Sequence, residues 1–146
     1  MKRWMKILGL LIAIGILAAV YVWFFVYNKP HRDFEQARPD HTLAADELFY
    51  QYYNHKSRAD SLYTGMVLQI TGVPHSVEVK DSVVIAVFAF ESGIFGEEGI
   101  RCTMLPQHRE RMKNHEAGTR LSLKGYCTGY NDADVILEKC SIVDED

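Results

Sequence analysis

Residues 7–27 (ILGLLIAIGILAAVYVWFFVY) contain no charged residue and no Asn, Gln or Pro. As a helix rising about 1.5 Å per residue, the run is about 30 Å long, the thickness of a bilayer's hydrocarbon core. Lys2, Arg3 and Lys6 precede it. Tyr21, Trp23, Phe24, Phe25 and Tyr27 gather at its far end, where aromatic side chains meet a membrane interface. A cleaved signal peptide has an apolar region of about 7–15 residues and a small-residue exit. This run is longer and leaves through bulky aromatics. No cysteine follows it for lipid attachment, the first being Cys102. The expectation is an uncleaved single-pass anchor whose partner is the lipid bilayer. The short basic flank favours residues 1–6 in the cytoplasm and the bulk of the chain exported. In a bacterium that is an inner-membrane protein with a periplasmic C-terminal domain.

The chain has 146 residues, 16 Lys and Arg against 19 Asp and Glu, and 48% hydrophobic residues. That suits one folded domain behind an anchor and excludes extended disorder. Setting aside Lys2, Arg3 and Lys6, 13 basic residues face 19 acidic ones, so the part beyond the anchor carries a formal −6. A nucleic-acid partner is disfavoured by that balance before any motif is considered.

Residues 28–43 are polar, carry two prolines and read as a juxtamembrane linker. From Ala45 the apolar residues Leu48, Phe49, Tyr52, Tyr53, Ala59, Leu62 and Tyr63 recur at helical spacing. Ser57 and Asp60 fit a capping box, so the segment is one kinked helix or two short ones. The period then changes to that of strands over Met66 to Val73, Val83 to Phe90, Ile100 to Leu105, Thr119 to Tyr130 and Asp134 to Val143. A short helix opening at Pro106 separates the third from the fourth. Residues 44–146 therefore read as a helix plus a mainly β domain, a five-stranded Greek-key barrel of the OB type.

Lys124-Gly125-Tyr126-Cys127-Thr128-Gly129-Tyr130, then Asp134-Val135-Ile136-Leu137 and Cys140, resemble the C-terminal hairpin of the tRNA-anti-like OB-fold family. Thr71-Gly72-Val73, Gly118, Asn28-Lys29-Pro30-His31-Arg32 and Ala45-Asp46-Glu47-Leu48 are similar to further parts of its membrane-anchored bacterial members. The resemblance implies an OB fold and supplies no catalytic or binding residues to carry over. Ala44 departs from the pattern where a serine often caps the helix, so Asp40 or Thr42 could cap an earlier start.

The chemistry-bearing residues point to binding rather than catalysis. No nucleophile–base or metal-ligand motif is present, and no cofactor, metal or enzyme activity is expected. Oligonucleotide-binding OB domains use their second and third strands, with aromatics to stack bases and basic residues for the backbone. The matching residues here are Phe88, Phe90, Arg101, Tyr126, Tyr130 and Lys80, a candidate ligand face interleaved with carboxylates. Ile94 and Phe95 lie at the tip of a long loop, either packed down or presented to a partner. Cys102, Cys127 and Cys140 fall in strands as three buried thiols, or as one disulfide joining Cys140 to Cys102 or Cys127. The six histidines read as solvated.

The resulting expectation is a non-enzymatic, membrane-anchored OB-fold binding module of the cell envelope, recognising a protein, peptide or small polar ligand. Single-stranded nucleic-acid binding on the cytoplasmic side is the alternative. Trp4 and Trp23 are the only tryptophans. A chain begun at Asn28 is therefore expected to be soluble and to lack tryptophan emission. Full-length protein should resist extraction by high salt; release by salt, or a mature chain starting after residue 20, would contradict the anchor.

Overall fold

The computed structural model describes residues 1–27 and 33–144, which form two separate units. In the first, Lys2–Val22 form helix α1, which continues as a π-helical turn over Trp23–Tyr27. None of its described residues is buried. Tyr21 stacks on Phe25 and Trp23 on Tyr27, so the aromatic end is self-packed. Length and composition fit a single-pass anchor or a signal sequence.

The second unit is built on one sheet of seven strands. They are β1 (His41–Ala44), β2 (Val67–Gly72), β3 (Ser76–Lys80), β4 (Val83–Gly93), β5 (Gly96–Met104), β6 (Leu121–Tyr130) and β7 (Asp134–Val143). Two helices, α2 (Ala45–Asn54) and α3 (Lys56–Tyr63), precede β2, and α4 (Arg109–Lys113) lies between β5 and β6. The hydrogen-bonded order is β1-β2-β6-β7-β5-β4-β3. This corrects the expected five strands in a closed barrel: there are seven, in an open sheet. The two ends of the six-strand run from β2 to β3 are nevertheless consecutive in the chain, joined only by Val73-Pro74-His75. Proline lacks the N–H a ladder needs, so the expected first strand, Met66 to Val73, ends at Gly72, and β3 follows as a separate strand.

The two added strands had weak signals. In β3, Val77 and Val79 alternate with Ser76, Glu78 and Lys80, a period hidden behind Pro74. In β1, four residues of little strand preference pair in parallel with β2, His41 opposite Leu68 and Ala44 opposite Thr71. Asp40 starts this pairing. Its carboxylate accepts from the Val67 N–H at 2.8 Å, and its own N–H donates to the Val67 carbonyl at 2.7 Å. Asp40 and Thr42 thus do not cap an earlier helix. α2 begins at Ala45 behind an extended Ala44 that has no side-chain cap.

The capping box also fails. His55, at φ −141, separates α2 from α3, and Ser57 is already inside α3. Asp60 instead accepts from Thr64 Oγ1 at 3.0 Å. β4 and β5 run further than expected, because Glu91, Ser92 and Gly93 pair with Glu98, Glu97 and Gly96. The supposed long loop is a hairpin with a two-residue tip.

The core is closed at both ends. α2 supplies Leu48, Phe49 and Tyr52, all fully buried, with Phe49 stacked on Phe90 and Tyr52 against Tyr130. These contacts lie where β4 and β6 finish. Met112 of α4, also fully buried, packs at the end where β5 finishes. Leu68, Ile70, Val84, Phe88, Ile100, Leu123 and Leu137 fill the space between.

β6 bends to hold β2 on one side and β7 on the other. Its register with β7 shifts between Lys124 and Tyr126 and again between Cys127 and Gly129. Gly125 sits in the first shift, buried, and a Cβ there would overlap Cys140 Sγ and stand 3.1 Å from the Glu138 carbonyl oxygen. Gly129 sits in the second at φ +130, a conformation open essentially to glycine alone. Gly125→Val should lower the urea-unfolding free energy by about 1–3 kcal/mol or more through overpacking. Gly125→Ala should lose less, and Cys140→Ala added to it should recover part of that loss, a non-additivity expected of touching residues. Additive losses would show that the thiol is not the obstacle.

Candidate functional site

The residues proposed as one ligand face do not form one. Phe88 is fully buried, because its place in β4 shares the inward side with Val84 and Ala86. Phe90 is half-buried under α2, within 5.5 Å of the Phe49 ring and 6.3 Å of Tyr50. Tyr130 is half-buried against Tyr52, with Lys56 Nζ 5.8 Å above its ring. Tyr126 is half-buried and meets Phe34 at 5.2 Å. Lys80 alone of the group is fully exposed, at the end of the edge strand β3. Helix α2 thus covers Phe90 and Tyr130, two of the aromatics that sequence position had assigned to a ligand.

Arg101 is similarly committed. Its Nη1 donates to Glu78 at 2.8 Å and its Nε to Asp134 at 3.0 Å. The other oxygen of Asp134 accepts from the Gly99 N–H at 3.0 Å. Donation to the Glu78 and then the Asp134 carboxylate raises the guanidinium's pKa above its ordinary value. Two carboxylates against one guanidinium leave a net negative site, which repels a phosphodiester backbone.

A surface cleft of about 380 Å³ opens beside these residues, lined by His75, Ala89, Phe90, Glu91, Ser92 and Glu97. His75 Nε2 lies 3.1 Å from Glu97, and Tyr50 donates to Glu91 at 2.8 Å. The bond from Tyr50 to a carboxylate raises the phenol's pKa, since the neutral hydroxyl is the form that donates. The cleft therefore offers carboxylates, a histidine and an aromatic wall. Among the described residues, no group of three or more His, Cys, Asp or Glu side chains is disposed to hold a metal ion.

Ile94 and Phe95 form the tip of the β4–β5 hairpin, 95% and 96% exposed. They are presented to solvent rather than packed down. The three cysteines are buried and free. Cys140 lies against Cys102, and burial followed by that neighbour pushes its thiol's pKa up. Cys127 turns instead to the Tyr52 hydroxyl at 3.4 Å. Burial likewise raises the pKa values of Cys127 and Tyr52.

Sequence reasoning missed a strap. Of the residues assigned to a linker, 28–32 lie outside the described residues, but Asp33 to Leu43 lie on the domain. Lys139 Nζ stands 4.8 Å over the Phe34 ring. Glu35 accepts from Gln107 Nε2 at 2.7 Å and meets His108 Nε2 at 2.8 Å, while Lys124 donates to the Glu35 carbonyl at 2.7 Å. His108 Nδ1 accepts from the Ile142 N–H at 3.4 Å, which leaves Nε2 as the protonated nitrogen facing Glu35. His108 is thus a partnered residue, not a solvated one. Nothing in the pattern of Phe34 and Glu35 marks them, because each partner is 72 or more positions away.

An apolar N-terminal helix followed by a mainly β domain with a helix-closed core is the class these features define. The chain belongs to the tRNA_anti-like family, whose model matches residues 1–142. A lipoprotein of Klebsiella pneumoniae subsp. pneumoniae, whose name offers nucleic acid binding as a provisional role, shares the fold at a TM-score of 0.54 and 13% identity. The match covers 80% of this chain and 100% of that one. No curated protein matches.

The hydrogen bonds from Gln107 and His108 hold the Glu35 carboxyl below the ordinary carboxylate range. A group whose folded pKa is depressed contributes stability above its unfolded value, lost as pH falls through the folded one. Wild type should exceed Glu35→Gln in urea midpoint by most near pH 6, and the gap should close toward about pH 3. A gap independent of pH would show that the ionised carboxylate is not what fastens the strap.

Proposed function

We propose that this protein is a membrane-anchored OB-type binding module of the cell envelope that performs no catalysis. The OB assignment rests on the chain link between β2 and β3, which together run as a single bent first strand. On that reading, β4, β5, α4, β6 and β7 follow in the OB order. The anchor reading rests on the exposed, uninterrupted apolar helix and on a linker too polar to continue it. The proposed location is the bacterial inner membrane, with the domain in the periplasm.

The observation that carries the binding reading is the closed core. With Leu48, Phe49 and Tyr52 at one end and Met112 at the other, a ligand is met on the outer surface. The cleft of His75, Phe90, Glu91 and Glu97 is the surface we assign to it. Its carboxylates favour a protein segment or a small polar ligand with hydrogen-bond donors. No catalytic role follows from the fold itself.

The provisional role in the Klebsiella lipoprotein's name favours a second reading, single-stranded nucleic acid. Buried Phe88, doubly paired Arg101 and the formal −6 beyond the anchor weigh against it. Reporter fusions at the C-terminus should report an exported domain, and the full-length protein in detergent should bind an oligonucleotide only weakly at physiological salt. Salt-dependent submicromolar affinity that falls on Arg101→Ala would overturn the envelope reading in favour of the nucleic-acid one.

A further inference from the structure

Resting on the assignment of the cleft beside His75 as the ligand surface, we propose that it receives an extended polypeptide segment with a basic side chain, added as a strand to the open edge of β4 at Ala89–Ser92. β3 pairs with β4 only from Val83 to Val87, whereas β5 accompanies β4 as far as Gly93. Beyond Val87, the β3 side of β4 has no strand beside it among the described residues. Pro74 is the cause. It cannot donate to a ladder, and on its far side the chain belongs to β2, whose antiparallel partner is β6. The last rung on this side is the His75 N–H, which donates to the Val87 carbonyl at 2.7 Å.

In an antiparallel ladder, the main-chain groups of alternate residues point to opposite neighbours. Val87 turns its carbonyl to the β3 side, so Ala89, two further on, presents its N–H and C=O there as well. Phe90 is the extra residue where the register with β5 shifts between Ala89 and Glu91. Past it, Gly93 and Gly96 flank the two-residue tip as a hydrogen-bonded pair, and Glu91 with Glu98 is the next such pair. Ser92, between them, is thus the next residue to face outward. Ala89 and Ser92 both line the cleft of about 380 Å³. They are about 10 Å apart along the strand, matched by three or four residues of extended chain. An open row of backbone donors and acceptors is the template on which such a chain adds. A compact polar molecule would fill the cleft without completing the ladder.

Charge selects the segment. Glu91 and Glu98 stand directly opposite each other across the hairpin, where like charges destabilise a ladder. Glu97 lines the cleft as well. Glu91 accepts from the neutral Tyr50 hydroxyl and Glu97 faces His75. Glu98 has no cationic partner among the described residues. Residues 88–99 include no Lys or Arg. A Lys or Arg side chain brought in by the segment supplies the missing positive charge, and its aliphatic stem lies along Phe90, which is half-buried on the cleft wall.

The test offers a fluorescein-labelled peptide of alternating Val and Lys to the full-length chain in detergent micelles. Anisotropy should show saturable binding, and bound peptide should slow hydrogen exchange across residues 89–92. The same sequence N-methylated at every residue keeps its charge but cannot donate to a ladder, and should bind at least about tenfold more weakly. Glu91→Gln combined with Glu97→Gln should weaken the unmethylated peptide by about tenfold at low salt without lowering the unfolding midpoint. Equal affinity for the two peptides, protection at the β3 or β1 edge instead, or no binding, would overturn strand addition. A simple diamine (cadaverine) separates that failure from failure of the cleft itself. If the diamine binds, loses its affinity in the double variant, and the peptide does not bind, the cleft stands as a ligand surface and the strand addition falls. If neither binds, both fall.

Discussion

β6 has to satisfy two neighbours while it changes direction, and the rest of the domain hangs from that strand. β2 pairs with it from Val67 opposite Tyr126 to Gly72 opposite Leu121, and β7 pairs with it from Ser122 to Tyr130. A regular strand cannot serve both at the curvature the core demands, because each register shift leaves a residue out of the ladder. Gly125 removes the side chain that would meet Cys140, and Gly129 adopts a backbone angle closed to other residues. Once β6 is bent, β2 is positioned. β1 then lies along β2, and α2, which follows directly from β1, is delivered onto the core.

That order explains why α2 is both packing element and boundary of the surface. Its inner residues Leu48, Phe49 and Tyr52 close the core, while Tyr50 and Tyr53 stay at least partly exposed, with Tyr50 against Phe90. The aromatic stripe at helical spacing is mostly burial, as its amphipathic pattern suggests. It also covers part of β4 at Phe90. The acidic cleft begins where that cover ends.

Most of the architecture could be read from local patterns. The apolar N-terminal helix, α2, α3, β4, β6 and β7 each announce themselves by period or by an unbroken apolar run. The inward parity of Leu121, Leu123, Gly125 and Cys127 matches their burial. What could not be read depends on distant partners. The β1 residues are extended because Val67 and its neighbours lie beside them, and Glu35 is fixed by Gln107 and His108. The candidate ligand face was least legible of all. Sequence position put Phe88, Phe90 and Arg101 on suitable strands, but which side they face and what already occupies them follows from α2, Glu78 and Asp134.

The pairing of β2 with β6 has a consequence for how the chain comes to fold. Val67 and Tyr126 are partners across about half of the domain's sequence, so β2 leaves the ribosome long before its neighbour exists. Until residues beyond Tyr130 emerge, β2 shows an unpaired edge and its apolar side chains Val67, Leu68 and Ile70 to solvent. Contacts of such sequence separation close slowly and leave transient edges open to aggregation. α1, by contrast, is complete within its own first residues and can engage a membrane while everything after it is still unfolded. A chain built this way commits its N-terminal helix early and its β domain last, and in between it depends on whatever keeps an extended, partly apolar polypeptide from meeting its like.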